Sequence, residues 1–308
     1  MAEHALYFSD ERAQRMYKIR TIVLKTIVYL FLTLFALFML APFVIMVVGS
    51  FVDGKSFENF SKKADFASLG FQNWTFNNYV TIFTYGSNSF PVFFLNTLIV
   101  AVCSTTVTVV TAVLAAFAFA RLNFKGKDAL FALLLATMMV PGEMMVITNF
   151  MTVNAINWRN TFCALILVHG VSVFYIFYLR QTFQQIPNEL YLAAKVDGVG
   201  DLGYLVKVMV PIAMPTITTI IILSMMGAWN SFIWPNLVAD GGWKYNEKHS
   251  MMLVSNGLRS LFSANQGEAK FDAVKIAGSM VISIPLFIVF IIFRKYIMRG
   301  VSRSGIKG

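Results

Sequence analysis

The sequence predicts an all-α integral membrane protein with six transmembrane helices, and three observations predict it. Of 308 residues, 57% are hydrophobic and 13% charged, at a mean hydropathy of +0.68, a balance that water-soluble domains do not carry. Six apolar runs are each long enough, at ~1.5 Å per residue, to cross a ~30 Å hydrocarbon core. The basic residues gather on alternate sides of those runs, as a multi-pass chain requires.

The N-terminal segment 1–26 is polar and basic, with Arg12, Arg15, Lys18 and Arg20, and reads as a solvated cytoplasmic arm. The first apolar run, Ile27–Val48, is too long for a signal-peptide core and no small-x-small cleavage pattern follows it, so it is expected to stay as an uncleaved span. Pro42 is expected to kink it. A polar loop follows to about Pro91, with a short interfacial helix expected over Asn73–Phe83. The second span, Leu95–Phe119, is rich in Thr, Val and Ala, residues that let helices approach closely in lipid. The third, Ala129 to about Met151, is interrupted by Pro141-Gly142-Glu143. The fourth is Phe162–Leu179, the fifth Ile212–Trp234, and the sixth Ala273–Phe293 with Pro285 inside it. Asn236–Asp272 reads as a second polar loop, and residues 296–308 as a basic tail. The six-span region thus covers residues 27–295.

Sixteen Lys and Arg lie on the side of the two termini, the 121–127 turn and the 180–207 segment, against nine on the other side. The larger set hugs the span ends, where the positive-inside rule applies, so both termini and the loop 181–215 are expected in the cytoplasm. The net charge of +10 is therefore topology and implies no nucleic-acid partner; the partner it implies is membrane lipid.

That loop holds the most informative stretch, Ile186–Pro215. Pro187 and Asn188 are helix-start residues, with Asn188 the expected cap. Glu189 follows in the first turn, where the helix dipole favours an anion. Leu190–Asp197 reads as about two turns, and Gly198 as a stop, because glycine tolerates positive φ. Asp201 is expected to cap a second short helix that Pro211 ends. Leu190, Leu192, Ala193 and Ala194 give the first helix an apolar surface that either tucks under its own spans or fills a groove on a partner.

Gly198-Val199-Gly200-Asp201-Leu202-Gly203 spells GxGxxG, but a helix precedes it and a span follows where a ribose-binding acid should stand, so no dinucleotide site is expected. No GxxxxGK[ST] occurs, so the chain does not cradle ATP phosphates itself. Cys103 and Cys163 lie in apolar runs and read as packed thiols; the paired methionines read as packing and not as a soft-metal route. No nucleophile–base constellation is visible, and no metal site or catalytic residue is expected.

Four residues are candidates for a solute route. Glu143 is a carboxylate inside a span, which either lines a cavity or braces the Pro141-Gly142 kink. Trp229, Asn230 and Ser231 close the fifth span and could stack on and hydrogen-bond a sugar; an interfacial aromatic belt accounts for tryptophans here, though not for Asn230.

The order and spacing of Ala193, Ala194, Asp197, Gly198, Val208, Pro211 and Pro215 resemble the cytoplasmic loop of ABC importer permeases, with Leu192 where that family carries Glu. The basic tail ending Gly305-Ile306-Lys307-Gly308, the Trp-Asn…Trp-Pro close of the fifth span and Pro141-Gly142-Glu143 are similar to carbohydrate-importer permeases of the maltose and glycerol-3-phosphate type. The resemblance implies a type I importer permease fold with cytoplasmic coupling helices. It also implies a second permease subunit, two ATPase subunits that hold the ATP and Mg, and an extracytoplasmic solute-binding protein. The site would be a multi-pass one in a bacterial or archaeal cytoplasmic membrane. An ion-gradient-driven secondary transporter is the alternative, and it calls for paired ionisable groups inside the spans.

Overall fold

The computed structural model describes residues 11–239, 244–245, 249–261 and 269–302. The expected tail residues Arg303, Gly305, Ile306, Lys307 and Gly308 lie outside these, as do residues 1–10.

Helices dominate, and one of them is the hub. Helix α1 (Glu11–Phe51) leads through α2 (Gly54–Lys63) and two 3-10 turns, Phe66–Leu69 and Phe71–Asn73, to α3, the 45-residue helix Asn77–Arg121. Next come α4 (Lys127–Thr137), α5 (Gly142–Ala155), α6 (Phe162–Ile166) and α7 (Val173–Gln184). Helix α8 (Asn188–Val196) precedes α9 (Asp201–Tyr204), a π-helical turn Leu205–Met209 and α10 (Val210–Ile212). Helices α11 (Met214–Trp229) and α12 (Ile233–Val238) are followed by a minimal antiparallel pair, β1 (Lys244–Tyr245) with β2 (His249–Ser250). The described chain ends with α13 (Val254–Leu261) and α14 (Ala269–Ser302). Helix α3 packs against α7, α11, α13 and α14, so the membrane bundle is built around it.

Among the described residues, three helices are individually long and apolar enough to span a membrane, within α1, α3 and α14. Counting each bent pair as one broken span, α4 with α5 at 95° and Asp201–Ile212 with α11 at 82°, raises the number to five. The fourth expected span divides at Leu167–Ser172 into α6 and α7, each shorter than a bilayer crossing.

Several element boundaries depart from the sequence expectation for local reasons. No separate interfacial helix forms at Asn73–Phe83; α3 begins at Asn77 and continues through Pro91. The fifth span closes at Trp229, because Asn230–Phe232 break the helix before α12 restarts. Pro187 occupies the cap position of α8 and Asn188 is its first residue; Gly200 likewise precedes Asp201, whose carboxylate goes elsewhere. Pro211 does not end the second short helix, since a proline at a first-turn position surrenders no hydrogen bond and the turn runs on to Ile212. Cys103 and Cys163 are free, as the apolar context implies, but exposed on helix surfaces and not packed.

The loop expected to be polar beyond α12 re-enters the core. Met251, Met252, Leu253 and Val254 are buried. Asn96 on α3 donates to the Met252 carbonyl (3.0 Å), and Val254 N donates to Thr97 Oγ1 (2.9 Å). Asn256 Nδ2 donates to the Ala239 carbonyl at 2.7 Å, tying α13 to α12. Gly257 lets α13 approach α3, since a Cβ there would stand 2.4 Å from a Phe93 ring carbon.

Candidate functional site

Two regions carry the chemistry: the segment around α8 and a cavity within the bundle. Helix α8 starts where Pro187 sets an extended entry and ends where Gly198 adopts φ +75°. That left-handed corner brings Gly198 N to the Lys195 carbonyl (3.1 Å) and Val199 N to the Ala194 carbonyl (2.8 Å), closing the helix end. Asp197 is exposed at that end.

The two faces of α8 differ. Tyr191, Ala194 and Val199 pack inward on a cluster that includes Phe117, Phe183, Tyr204 and Leu205. The opposite face holds Leu190, Ala193 and Leu192 exposed, with Val196 88% exposed; Leu202 and Val206 extend it onto the next turns. That is a large contiguous aliphatic surface for a nine-residue helix. The helix tucks one face under its own spans and leaves the other open.

A three-residue clamp holds this face in place. Asp201 Oδ1 accepts from the Tyr191 hydroxyl and from the Lys195 ammonium, each at 2.7 Å. The Tyr191 ring meets the buried Tyr204 ring edge-on at 5.1 Å. The Lys195 ammonium, with the Tyr191 hydroxyl second, holds the Asp201 carboxyl below the ordinary carboxylate range. Its bond to Asp201 raises Lys195, and the same carboxylate raises Tyr191, so all three keep the protonation that the clamp needs at neutral pH. Sequence reading missed this clamp, although Tyr191 and Lys195 at i, i+4 opposite an acid after a glycine corner is a legible signal.

Beneath the segment, two arginines brace the bundle. Arg121 at the end of α3 donates to the carbonyls of Phe183 (2.9 Å) and Ile186, while Arg180 on α7 donates back to the Phe119 carbonyl (3.1 Å) and lies 4.0 Å over the Phe131 ring. Each cation donates to carbonyls in or just beyond the last turn of the other's helix, where acceptors outnumber backbone donors. Pro211 and Pro215 flank Ala213, where the arm Asp201–Ile212 meets α11.

The cavity, about 330 Å³, lies between α3, the α6–α7 turn, α11 and α12. Ser231 lines it. Its candidate neighbours do not: Trp229 is buried, donates its Nε1 to the Ile282 carbonyl (3.2 Å) and meets the Phe94 ring edge-on. Asn230 is exposed and donates to the Met226 carbonyl at 2.9 Å, and Glu143 is exposed in the first turn of α5. The polar lining residues that the sequence did not single out are Ser104, Thr108, His169, Ser172, Tyr175 and Ser224; Ser104 and Thr108 stand four apart on one helix face, the signal that could have marked them. Among the described residues, no group of His, Cys, Asp and Glu stands ready to hold a metal.

Residues 108–303 match the family model described as the binding-protein-dependent transport system inner membrane component. The chain belongs to that family. As a permease of this family it is a membrane translocation subunit and not an enzyme. It is similar to the arabinooligosaccharides transport system permease protein AraQ of Bacillus subtilis, at 31% identity over 76% of this chain and 79% of that one. It is 29% identical to the trehalose/maltose transport system permease protein MalG of Thermococcus litoralis, over 89% of this permease and 94% of the relative. In fold it matches a chain from the crystal structure of a bacterial ABC transporter involved in the import of the acidic polysaccharide alginate. There the TM-score is 0.72 and the identity 22%, with 93% and 98% of the two chains covered.

Proposed function

We propose that this permease is one half of a two-permease pore for a sugar, oligosaccharide or related solute, and that the open face of α8 docks on a separate ATPase subunit. The observation that carries the docking is the aliphatic face of Leu190, Leu192, Ala193 and Val196, held rigid from behind by the Tyr191–Asp201–Lys195 clamp. The sugar reading rests on the named substrates of the relatives. Two ATPase subunits hold the ATP and Mg, a solute-binding protein delivers cargo from outside, and both termini lie in the cytoplasm of a bacterium or archaeon. Closure of the ATPase pair pulls α8, the arm Asp201–Ile212 transmits the pull past Pro211 and Pro215, and the spans shift between inward- and outward-open states.

The surface at Leu192 is aliphatic where the family carries Glu, so the grip on the ATPase is apolar at that point and Asp197 supplies the nearby charge. Nothing favours an ion-gradient-driven carrier, since Glu143 has no ionic partner among the described residues.

Disulfide trapping tests this reading in the assembled transporter. A cysteine at Ala193 or Val196, on the open face, should crosslink to the ATPase, while one at Ala194, on the packed face, should crosslink far less. Gly198→Pro should abolish ATP-coupled uptake with membrane insertion intact, because proline adopts no positive φ and lacks the N–H bonded to Lys195. Uptake that follows an imposed proton or sodium gradient with no ATPase present would sink the proposal.

A further inference from the structure

The cavity inside the bundle has a composition that points to an occupant. Its wall includes Ser104, Thr108, Ser224 and Ser231, with His169 and Trp234 at one side. Ser172 and Tyr175 complete its polar part, the remaining wall is largely aliphatic, and among the described residues no Lys, Arg, Asp or Glu reaches it. Trp234 is already anchored, its Nε1 donating to the Ala164 carbonyl at 2.9 Å, and its ring meets the His169 imidazole edge-on at 5.2 Å. Ser104 is different. It is 7% exposed, and its Oγ is buried with no hydrogen-bond partner. A buried hydroxyl without a partner costs about 1–3 kcal/mol, and more in hydrocarbon than in a wet protein.

We propose that this cavity binds one ring of a neutral sugar or polyol, with Ser104 Oγ as its deepest hydrogen-bond contact. The inference rests on the sugar reading above and deepens it. Hydroxyl faces hydroxyl: each serine or threonine both donates and accepts, as sugar hydroxyls do, so the set can be paired without any net charge. Absence of a cationic side chain makes the wall a poor host for a carboxylated or sulfated sugar, because a buried anion needs a paired charge. The volume, at the lower end of the range for ligand pockets, holds a single ring and not an oligosaccharide. The Trp234 and His169 edges and the aliphatic wall then cover the apolar C–H faces of that ring. All of these lining residues belong to this one chain.

Binding to the purified permease–ATPase complex in lipid nanodiscs, without the solute-binding protein, tests this. D-glucose, L-arabinose, glycerol and, as the anionic control, D-glucuronate serve as probes, read by the shift in thermal unfolding across a concentration series. At least one neutral probe should raise the unfolding temperature saturably, and D-glucuronate should not. Ser104→Ala should weaken that binding about tenfold, the loss of one hydrogen bond. Ser224→Leu, which fills the cavity from a half-exposed position, should abolish it, so the result does not hang on one variant folding. Saturable binding of D-glucuronate equal to that of the neutral probes, no saturable binding of any neutral probe, or unchanged affinity in both variants overturns the proposal. The last two outcomes beside intact ATP-driven uptake of a sugar by the wild-type transporter would leave the carrier reading standing and reject this site. Neutral-probe binding without uptake of any sugar would reject the carrier reading alone.

Discussion

Arg121 and Arg180 carry positive charge at the span ends, which is all that a charge count asks of them, yet the structure gives each a mechanical task. Each guanidinium reaches a carbonyl of the other's helix, Arg121 to Phe183 and Ile186, Arg180 to Phe119. Arg121→Ala should therefore remove both bonds at once and strip the Ile186 carbonyl of its cationic donor, at a cost of about 1–3 kcal/mol, and lower the thermal midpoint of the solubilised protein by a few degrees. Arg121→Lys should recover only part of the loss, since an ammonium lacks the planar fork that reaches two acceptors. A lysine variant with wild-type stability would show that charge alone matters here. These arginines were legible as topology because charge is written in the sequence. Their carbonyl partners lie 61 to 65 positions away and were not.

At the scale of the element, α8 depends on one carboxylate. Asp201 is titrated below its ordinary range and Lys195 above its own, so their mutual contribution has defined limits. The carboxylate's share is present above about pH 4 and is lost as pH falls through its depressed value. The ammonium's share is present below about pH 10 and is lost as pH rises through its elevated one. ATP-coupled uptake should accordingly show no break from this clamp between about pH 5 and 9. Asp201→Asn, by contrast, should lower the ratio of solute moved to ATP hydrolysed at every pH in that window. Asp201→Glu should recover much of it, whereas a carboxylate that mattered only for folding would leave that ratio unchanged in the surviving protein. The existence of α8 and the Gly198 corner was legible because both are local: an apolar run of two turns and a residue that accepts φ +75°. The clamp joins two short helices across that corner, and the course of residues 251–254 through the core depends on Asn96 and Thr97, more than 150 positions away. Hydropathy windows see neither.

The whole molecule exposes 20390 Å², where a water-soluble globular chain of this mass would expose about 13,000 Å². Much of the difference is apolar side chain on α1, α3 and α14, including Phe35, Phe38 and Phe290. The two kinds of exposed apolar surface, spans and α8, should respond differently to the same substitution. Phe35→Arg, midway along α1, should impair membrane insertion by about 2.5–3.5 kcal/mol, seen as protein released by alkaline extraction. Val196→Arg should insert normally and lose ATPase association, measured by co-purification. Normal insertion of the first variant would mean that its site on α1 does not face hydrocarbon. The long apolar runs within α1, α3 and α14 were legible because lipid demands length and hydropathy of each, whereas the count of six spans is not reached among the described residues, where three helices, or five with the bent pairs, qualify. The breaks at Met138–Pro141 and Ala213 were legible only as prolines, since the angle at a break is set by what packs on either side. That angle has a mechanical meaning. The arm Asp201–Ile212 stands at 82° to α11, and its twelve residues make a crank about 18 Å long. If the ATPase docks as proposed, a sideways shift of about 3 Å at the Asp201 end would turn α11 by about 10° on its own axis. Along that axis α11 would not need to slide at all, so the seal against lipid would survive the turn of the handle.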